Sequence, residues 1–193
     1  MKCKCENVTL AFRDYAEWTP TTSIHETDRD AIVCSIIGLA SETNEYLEKV
    51  DELFSDVNKR RQLGEKRADN REQLKKELGD ILYYIGLFTE KTGIVANVCI
   101  HDPETFPMQT FLCPALPLRV QEHFKKVVRD ARWSIADYAK KDDLFESINT
   151  LLTVLYIEAV DLGFDFEDVM KTNQEKLMSR FERNVIGGCG DER

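Results

Sequence analysis

Two pairs of carboxylates stand three residues apart in two separate parts of the sequence. Glu42 and Glu45 lie in the stretch GLASETNEYLEKV, and Glu77 and Asp80 lie in KKELGDILYYIG. Residues three apart share a face of an α-helix. Four carboxylates brought together would raise one another's pKa unless a cation neutralised them. Since hard oxygen ligands without nitrogen or sulfur favour Mg²⁺, or Mn²⁺, over zinc, these pairs predict a magnesium site.

The two pairs occupy matching positions relative to the apolar faces of their predicted helices. Each residue of an α-helix advances by about 100°. Glu42 and Glu77 therefore border an apolar stripe, while Glu45 and Asp80 lie on the side away from it. The stripes consist of Ile36, Leu39, Tyr46, Leu47 and Val50 in the first helix and Leu74, Leu78, Ile81, Leu82 and Ile85 in the second. If the stripes pack antiparallel, all four carboxylates converge at one rim.

Two other interpretations of the carboxylates remain open. Acidic residues three apart are common on solvated helix surfaces, where they pair with Lys or Arg. A di-iron helical bundle also uses carboxylates, but it requires Glu-x-x-His pairs. Because His25, His101 and His123 stand in no such spacing, the di-iron class is the weaker rival.

Helical periodicity predicts an all-α fold. Apolar residues recur every three or four positions over about 30–54, up to about 91, over 120–138 and over 143–161. Thr27 with Asp30, Asp69 with Glu72 and Asp143 with Glu146 resemble capping boxes at helix starts. Gly163 is expected to end one helix and Asp165 to cap the last, over about 166–183. The charged stretch NKRRQLGEKRADNREQ contains Gly64 and few apolar residues, and it predicts a loop.

Length and composition indicate one ordinary domain. The chain has 193 residues, 42% of them hydrophobic, and a net charge of -9. This charge argues against binding a nucleic-acid polymer, which requires clustered cations. No apolar run approaches the ~20 residues that span a bilayer, and the N-terminus lacks a signal-peptide core, so we expect a cytoplasmic protein with no membrane partner.

The motifs resemble those of the MazG-like, all-α nucleotide pyrophosphohydrolases, which are related to dimeric dUTPase- and dCTPase-type enzymes. Glu42-x-x-Glu45 followed by Glu77-x-x-Asp80 looks like the metal-binding signature of that family. Gly38-Leu39, the stretch ELGDILYY, Tyr15 with Thr19, and NQEKLMSRF at 173–181 agree with it in order. The resemblance covers about 8–94 and 148–184. The segment at about 95–145 resembles an insertion of helix and loop, and a flexible tail is expected at about 185–193.

The resemblance implies a Mg²⁺-dependent hydrolysis of (deoxy)nucleoside triphosphates to the monophosphate and pyrophosphate. Glu42, Glu45, Glu77 and Asp80 would bind Mg²⁺, or Mn²⁺. Glu45 is the first candidate for the general base, and Glu48 is the second. The family further implies a substrate-binding set on two helices, consisting of Lys176, Arg180, Asn173 and Tyr84.

Two aspects of the resemblance leave room for other outcomes. The family implies a homodimer or homotetramer, and the insertion bears on that geometry. Ser41 stands where many members carry an additional Glu. The alternative function is a non-catalytic helical oligomer that binds a nucleotide or a protein on the same scaffold.

Overall fold

Six α-helices and no strands make up the described part of the chain, as the periodicity predicts. The structure is a computed structural model that describes residues 4–58, 63–99 and 112–185. Side chains are described for 6–52, 71–99 and 112–185. The helices are α1 (Lys4–Trp18), α2 (Asp28–Asn58), α3 (Leu63–Thr92), α4 (Ala115–Asp130), α5 (Lys141–Asp161) and α6 (Phe166–Glu182), with a 3₁₀ helix at Thr19–Thr22.

α2 and α3 form the most extensive helix pair and run antiparallel. Lys91 near the end of α3 pairs with Asp28 at the start of α2. Further along, Gly38 lies against Tyr84. These contacts pair rising positions in α2 with falling positions in α3, which is the arrangement that brings the two carboxylate pairs to one rim.

α3 lies at the centre of the fold, because α1, α2, α5, α6 and the 3₁₀ helix all pack on it. Its apolar face is fully enclosed: Leu74, Ile81 and Leu82 are 0% exposed. Burial of a large aliphatic side chain contributes about 1.5–3 kcal/mol. Most of the described buried apolar side chains form one cluster, so the carboxylates on α2 and α3 are carried by helices that pack on a shared core.

Local capping signals predict three helix boundaries correctly. The Thr27 hydroxyl accepts a hydrogen bond from the Asp30 amide at 3.1 Å and donates one to the Asp30 carboxylate at 2.6 Å. The Asp165 carboxylate accepts from the amides of Glu167 and Asp168 at 2.8 and 3.3 Å. Gly163 has a φ of 76° and ends α5 as expected. α5 begins at Lys141, two residues before the predicted Asp143.

The prediction that α3 starts at Asp69 is wrong, because the helix begins at Leu63. The charged stretch is therefore largely helical, although residues 59–62 lie outside the described part. Its Glu, Lys, Arg, Gln and Ala residues are strong helix formers. A polar composition is therefore compatible with a helix in this stretch and does not by itself predict a loop.

The bounds of the helix predicted over 120–138 also differ, because α4 spans Ala115–Asp130. α4 ends at Asp130, and Arg132 and Trp133 follow with φ values of 49° and 73°, a left-handed conformation that no α-helix accommodates. Tyr138 beyond this turn is nevertheless buried. The apolar spacing therefore continued through a turn that packs on the same core. Of the predicted insertion, residues 100–111 lie outside the described part, as do residues 186–193 of the predicted tail.

α5 and α6 meet at an angle of 99°. The corner between them contains Gly163 and the helix-capping Asp165. It directs α6 across α3, so that residues of α6 reach the rim where α2 and α3 carry their carboxylates. Among the described helices, none alone has the length and apolar content to cross a membrane, whereas α5 and α6 reach that threshold only when taken together across this bend.

Candidate metal centre

Three of the four predicted carboxylates converge. One oxygen each from Glu42, Glu45 and Glu77 lies within 4.8 Å of the others. Glu42 and Glu45 come from α2, and Glu77 comes from α3. The three differ in environment, because Glu77 is 2% exposed, Glu42 is half-buried and Glu45 is exposed. We refer to these three residues as the acidic triad.

Asp80, the fourth predicted ligand, lies beside the triad but is held by α6. The amide Nδ2 of Asn173 donates to Asp80 Oδ1 at 2.6 Å, and the Lys176 ammonium donates to Asp80 Oδ2. Both α6 residues were predicted to bind substrate. Lys176 and Asp80 are each mostly enclosed, with side chains 14% and 17% exposed.

A second lysine forms an ion pair with the triad itself. Lys49 of α2 donates from its ammonium to Glu77 Oε1 across the helix pair. Lys49 is not among the site residues predicted from the sequence. The available signal was its position four residues after Glu45, which predicts a pair within α2 rather than one between helices.

The pKa of Glu42 reflects both its burial and the negative charge around it. Burial, followed by the charges of Asp80, Glu45 and Glu77, raises the pKa of Glu42 from 4.5 to about 8, and Lys176 opposes this rise. A carboxyl group with this pKa holds a proton at neutral pH unless a cation replaces it. The donor set therefore fits a hard divalent cation, since only carboxylate oxygens are offered.

Tyr84 lies at the edge of this site. Its ring packs over Gly38, where a Cβ atom would come within 2.4 Å of a ring carbon. Burial and then the charge of Glu42 raise the pKa of the Tyr84 hydroxyl. Tyr84 is thus both packed against α2 and close enough to the triad to feel its charge. Arg180, half-buried on α6, follows Lys176 by one turn.

Asn173 is held from behind by α1. The Tyr15 hydroxyl donates to Asn173 Oδ1 at 2.7 Å, and both side chains are buried. Gly79 lies directly beneath this amide, because a Cβ there would lie 2.8 Å from Asn173 Cβ. The stretch ELGD therefore contributes two acids to the rim and one close contact that admits α6.

The paired lysines agree in part with the interpretation that the acids are helix residues bound to Lys or Arg. Solvation, the other half of that interpretation, does not hold for Glu77, which is enclosed.

No protein family, curated protein or solved structure matches the chain.

Proposed function

We propose that the protein is a Mg²⁺-dependent nucleotide pyrophosphohydrolase of the MazG-like type. It would hydrolyse (deoxy)nucleoside triphosphates to the monophosphate and pyrophosphate. The observation that carries this proposal is the convergence of Glu42, Glu45 and Glu77 within 4.8 Å, on two antiparallel helices. Carboxylates gathered at one rim repel one another, and the pKa of Glu42 is raised there, so the arrangement is costly to keep unless a cation is bound.

The acidic triad and Asp80 would hold the cation. When bound, Mg²⁺ neutralises charge on phosphate oxygens and lowers the pKa of a bound water. Glu45 suits the general base because it is the exposed member of the triad and is not the partner of Lys49. It would accept the proton of the attacking water while the bond from phosphorus to the departing phosphate oxygen breaks. Attack at the α- or the β-phosphorus gives the same two products.

The cations of α6 support the assignment of a phosphate-binding side. Lys176 already lies beside Asp80, and Arg180 lies one turn further along the same helix. Residues four apart on a helix can present two positive groups to one phosphate chain. Asn173 and Tyr84 complete the proposed substrate-binding set, with Tyr84 offering an aromatic ring next to the triad.

We also propose that the protein assembles as a homodimer or homotetramer. Val33 and Ile37 lie one turn apart on α2 and are 40% and 63% exposed. Exposed aliphatic pairs of this kind favour burial against another surface. Light scattering after size-exclusion chromatography would test this, and a mass equal to one chain would contradict it.

One observation favours a second candidate, the non-catalytic helical oligomer. Glu77 and Asp80 are each neutralised by a lysine, as a scaffold that needs no divalent cation would have them. Turnover separates the two candidates. The assay measures pyrophosphate release from each dNTP and NTP with Mg²⁺.

The decisive comparison uses Glu45→Gln and Glu52→Gln. Both residues are exposed on α2, but Glu52 lies outside the triad. Loss of a general base lowers the rate by about 10²–10⁴-fold, which we expect for Glu45→Gln alone. A folded wild-type protein without turnover on any nucleotide would support the scaffold, and an unaltered Glu45→Gln rate would refute the role of Glu45.

A further inference from the structure

We propose that Lys49 is an exchangeable counter-ion of the acidic triad, which neutralises Glu77 in the cation-free protein and leaves when a divalent cation binds. The inference rests on the proposed function, because it concerns the same cation site. It assigns control over cation affinity to Lys49, which is not one of the four paired carboxylates.

The two members of the Lys49–Glu77 pair differ in how easily they return to water. The Glu77 side chain is 3% exposed, whereas that of Lys49 is 25% exposed. A buried carboxylate without a counter-ion is strongly destabilising. Lys49 carries its ammonium on a flexible stem that can turn into solvent without movement of the backbone. Glu77 therefore needs a cation at all times, but Lys49 does not need Glu77.

Glu77 also belongs to the triad, so the same carboxylate serves both cations. Its Oε1 accepts from Lys49, and one of its oxygens lies within 4.8 Å of oxygens of Glu42 and Glu45. A divalent cation that draws charge from this carboxylate weakens its attraction for the ammonium. Binding of the cation and pairing with Lys49 are therefore opposed, and by linkage each reduces the other to the same extent.

The charge balance of the rim agrees with an exchange. The triad and Asp80 comprise four carboxylates, and Lys49 and Lys176 supply two positive charges. When these six side chains are all ionised they carry two negative charges, and three remain once Lys49 has left, so the departure of Lys49 strengthens the attraction of the rim for a divalent cation. The lysines therefore limit the repulsion between carboxylates before the cation arrives, without abolishing the affinity for it.

The test measures Mn²⁺ affinity by titration followed with electron paramagnetic resonance, and thermal stability in EDTA and in saturating Mg²⁺. Lys49→Met should tighten Mn²⁺ binding by about tenfold, because a hydrogen-bonded charge pair no longer competes. It should lower the melting temperature in EDTA, and most of that deficit should disappear in Mg²⁺. A purely structural role would give the same deficit in both conditions.

Lys91→Met is the matched control. Lys91 also joins α3 to α2 through an ion pair, and its side chain is 26% exposed, but its partner Asp28 is the first residue of α2, whereas the triad lies near the middle of the helix pair. It should leave the Mn²⁺ affinity unchanged. Lys49→Arg retains the charge and should bind Mn²⁺ no more tightly than the wild type. Lys49→Gln, which keeps a donor for Glu77, provides the same comparison if Lys49→Met does not fold.

The outcomes separate this inference from the proposed function. Equal Mn²⁺ affinity in the wild type and Lys49→Met, or an equal stability deficit with and without Mg²⁺, would overturn the role of Lys49 alone. Absence of Mn²⁺ binding in every variant would overturn the cation site itself, and the exchange with it.

Discussion

Asn173 donates to Asp80 at 2.6 Å while its own carbonyl oxygen accepts from Tyr15 at 2.7 Å. The Asp80 carboxylate, which only accepts, requires the amide nitrogen of Asn173 to face the rim, so the carbonyl oxygen faces Tyr15 and accepts from its hydroxyl. Three helices, α1, α6 and α3, are connected through this relay. Asp80 is thus oriented by contacts that extend behind it into the core.

Loss of the Tyr15 hydroxyl should weaken the whole set of hydrogen bonds that connects Tyr15, Asn173 and Asp80. Tyr15→Phe is expected to lower the free energy of unfolding by about 1 kcal/mol, because the Asn173 oxygen loses its buried donor. Urea denaturation of Tyr15→Phe, Asn173→Ala and the double variant would measure it. The double variant should cost less than the sum of the single changes, since the two residues share one hydrogen bond. Additive costs would show that the relay is not a unit.

Gly38 sets the approach of α2 to the Tyr84 ring. Gly38→Ala should lower the free energy of unfolding by about 1–3 kcal/mol, because its Cβ would overlap ring carbons at 2.4–2.7 Å. In a Tyr84→Ala background the overlap is removed, and the higher helix propensity of Ala should make the same change stabilising by up to about 1 kcal/mol. Chemical denaturation of the four proteins measures both values. An equal cost in both backgrounds would contradict the contact.

The stability of the cation-free protein should fall as the pH rises. The pKa of Glu42 is raised to about 8 in the folded protein, whereas the unfolded chain has the ordinary value of 4.5. Between these values the folded chain retains a proton that the unfolded chain has released, so stability decreases with pH across this window. Melting temperatures in EDTA from about pH 5 to pH 8 would show the decline.

Glu42→Gln isolates the contribution of this carboxyl group. The decline should be shallower in Glu42→Gln than in the wild type, and Glu52→Gln should retain the wild-type slope. Mg²⁺ should raise the melting temperature more at the upper end of the range, because the cation replaces a proton. Parallel slopes in the wild type and Glu42→Gln would contradict the assignment.

Features encoded locally could be predicted from the sequence. Thr27 and Asp165 mark helix starts because a capping side chain contacts amides two or three residues away. The start of α3 could not be predicted in this way, since its first residues carry no apolar period to indicate a helix. The end of α4 was missed because Ile135 and Tyr138 beyond it still pack on the core.

The candidate site likewise has features that follow from spacing within one helix and features that depend on how the helices pack. The spacing of Glu42, Glu45 and Glu77 follows from helical geometry, and their proximity required only an antiparallel pair. The Lys49–Glu77 pair depends on the register between two helices, which no spacing within one helix contains. The orientation of Asp80 toward α6 depends on the angle at which another helix crosses α3.

The corner of 99° between α5 and α6 sets the direction of α6, so a small change of its angle is amplified along the helix. Lys176 lies ten residues beyond Phe166, where α6 begins, which is about 15 Å along the helix axis. A tilt of about 10° at this corner would swing the ammonium by about 2.5 Å, as far as a hydrogen bond is long. A substitution at Gly163 or Asp165 would therefore change the position of the Lys176 ammonium relative to the carboxylates, without contacting any side chain at the rim.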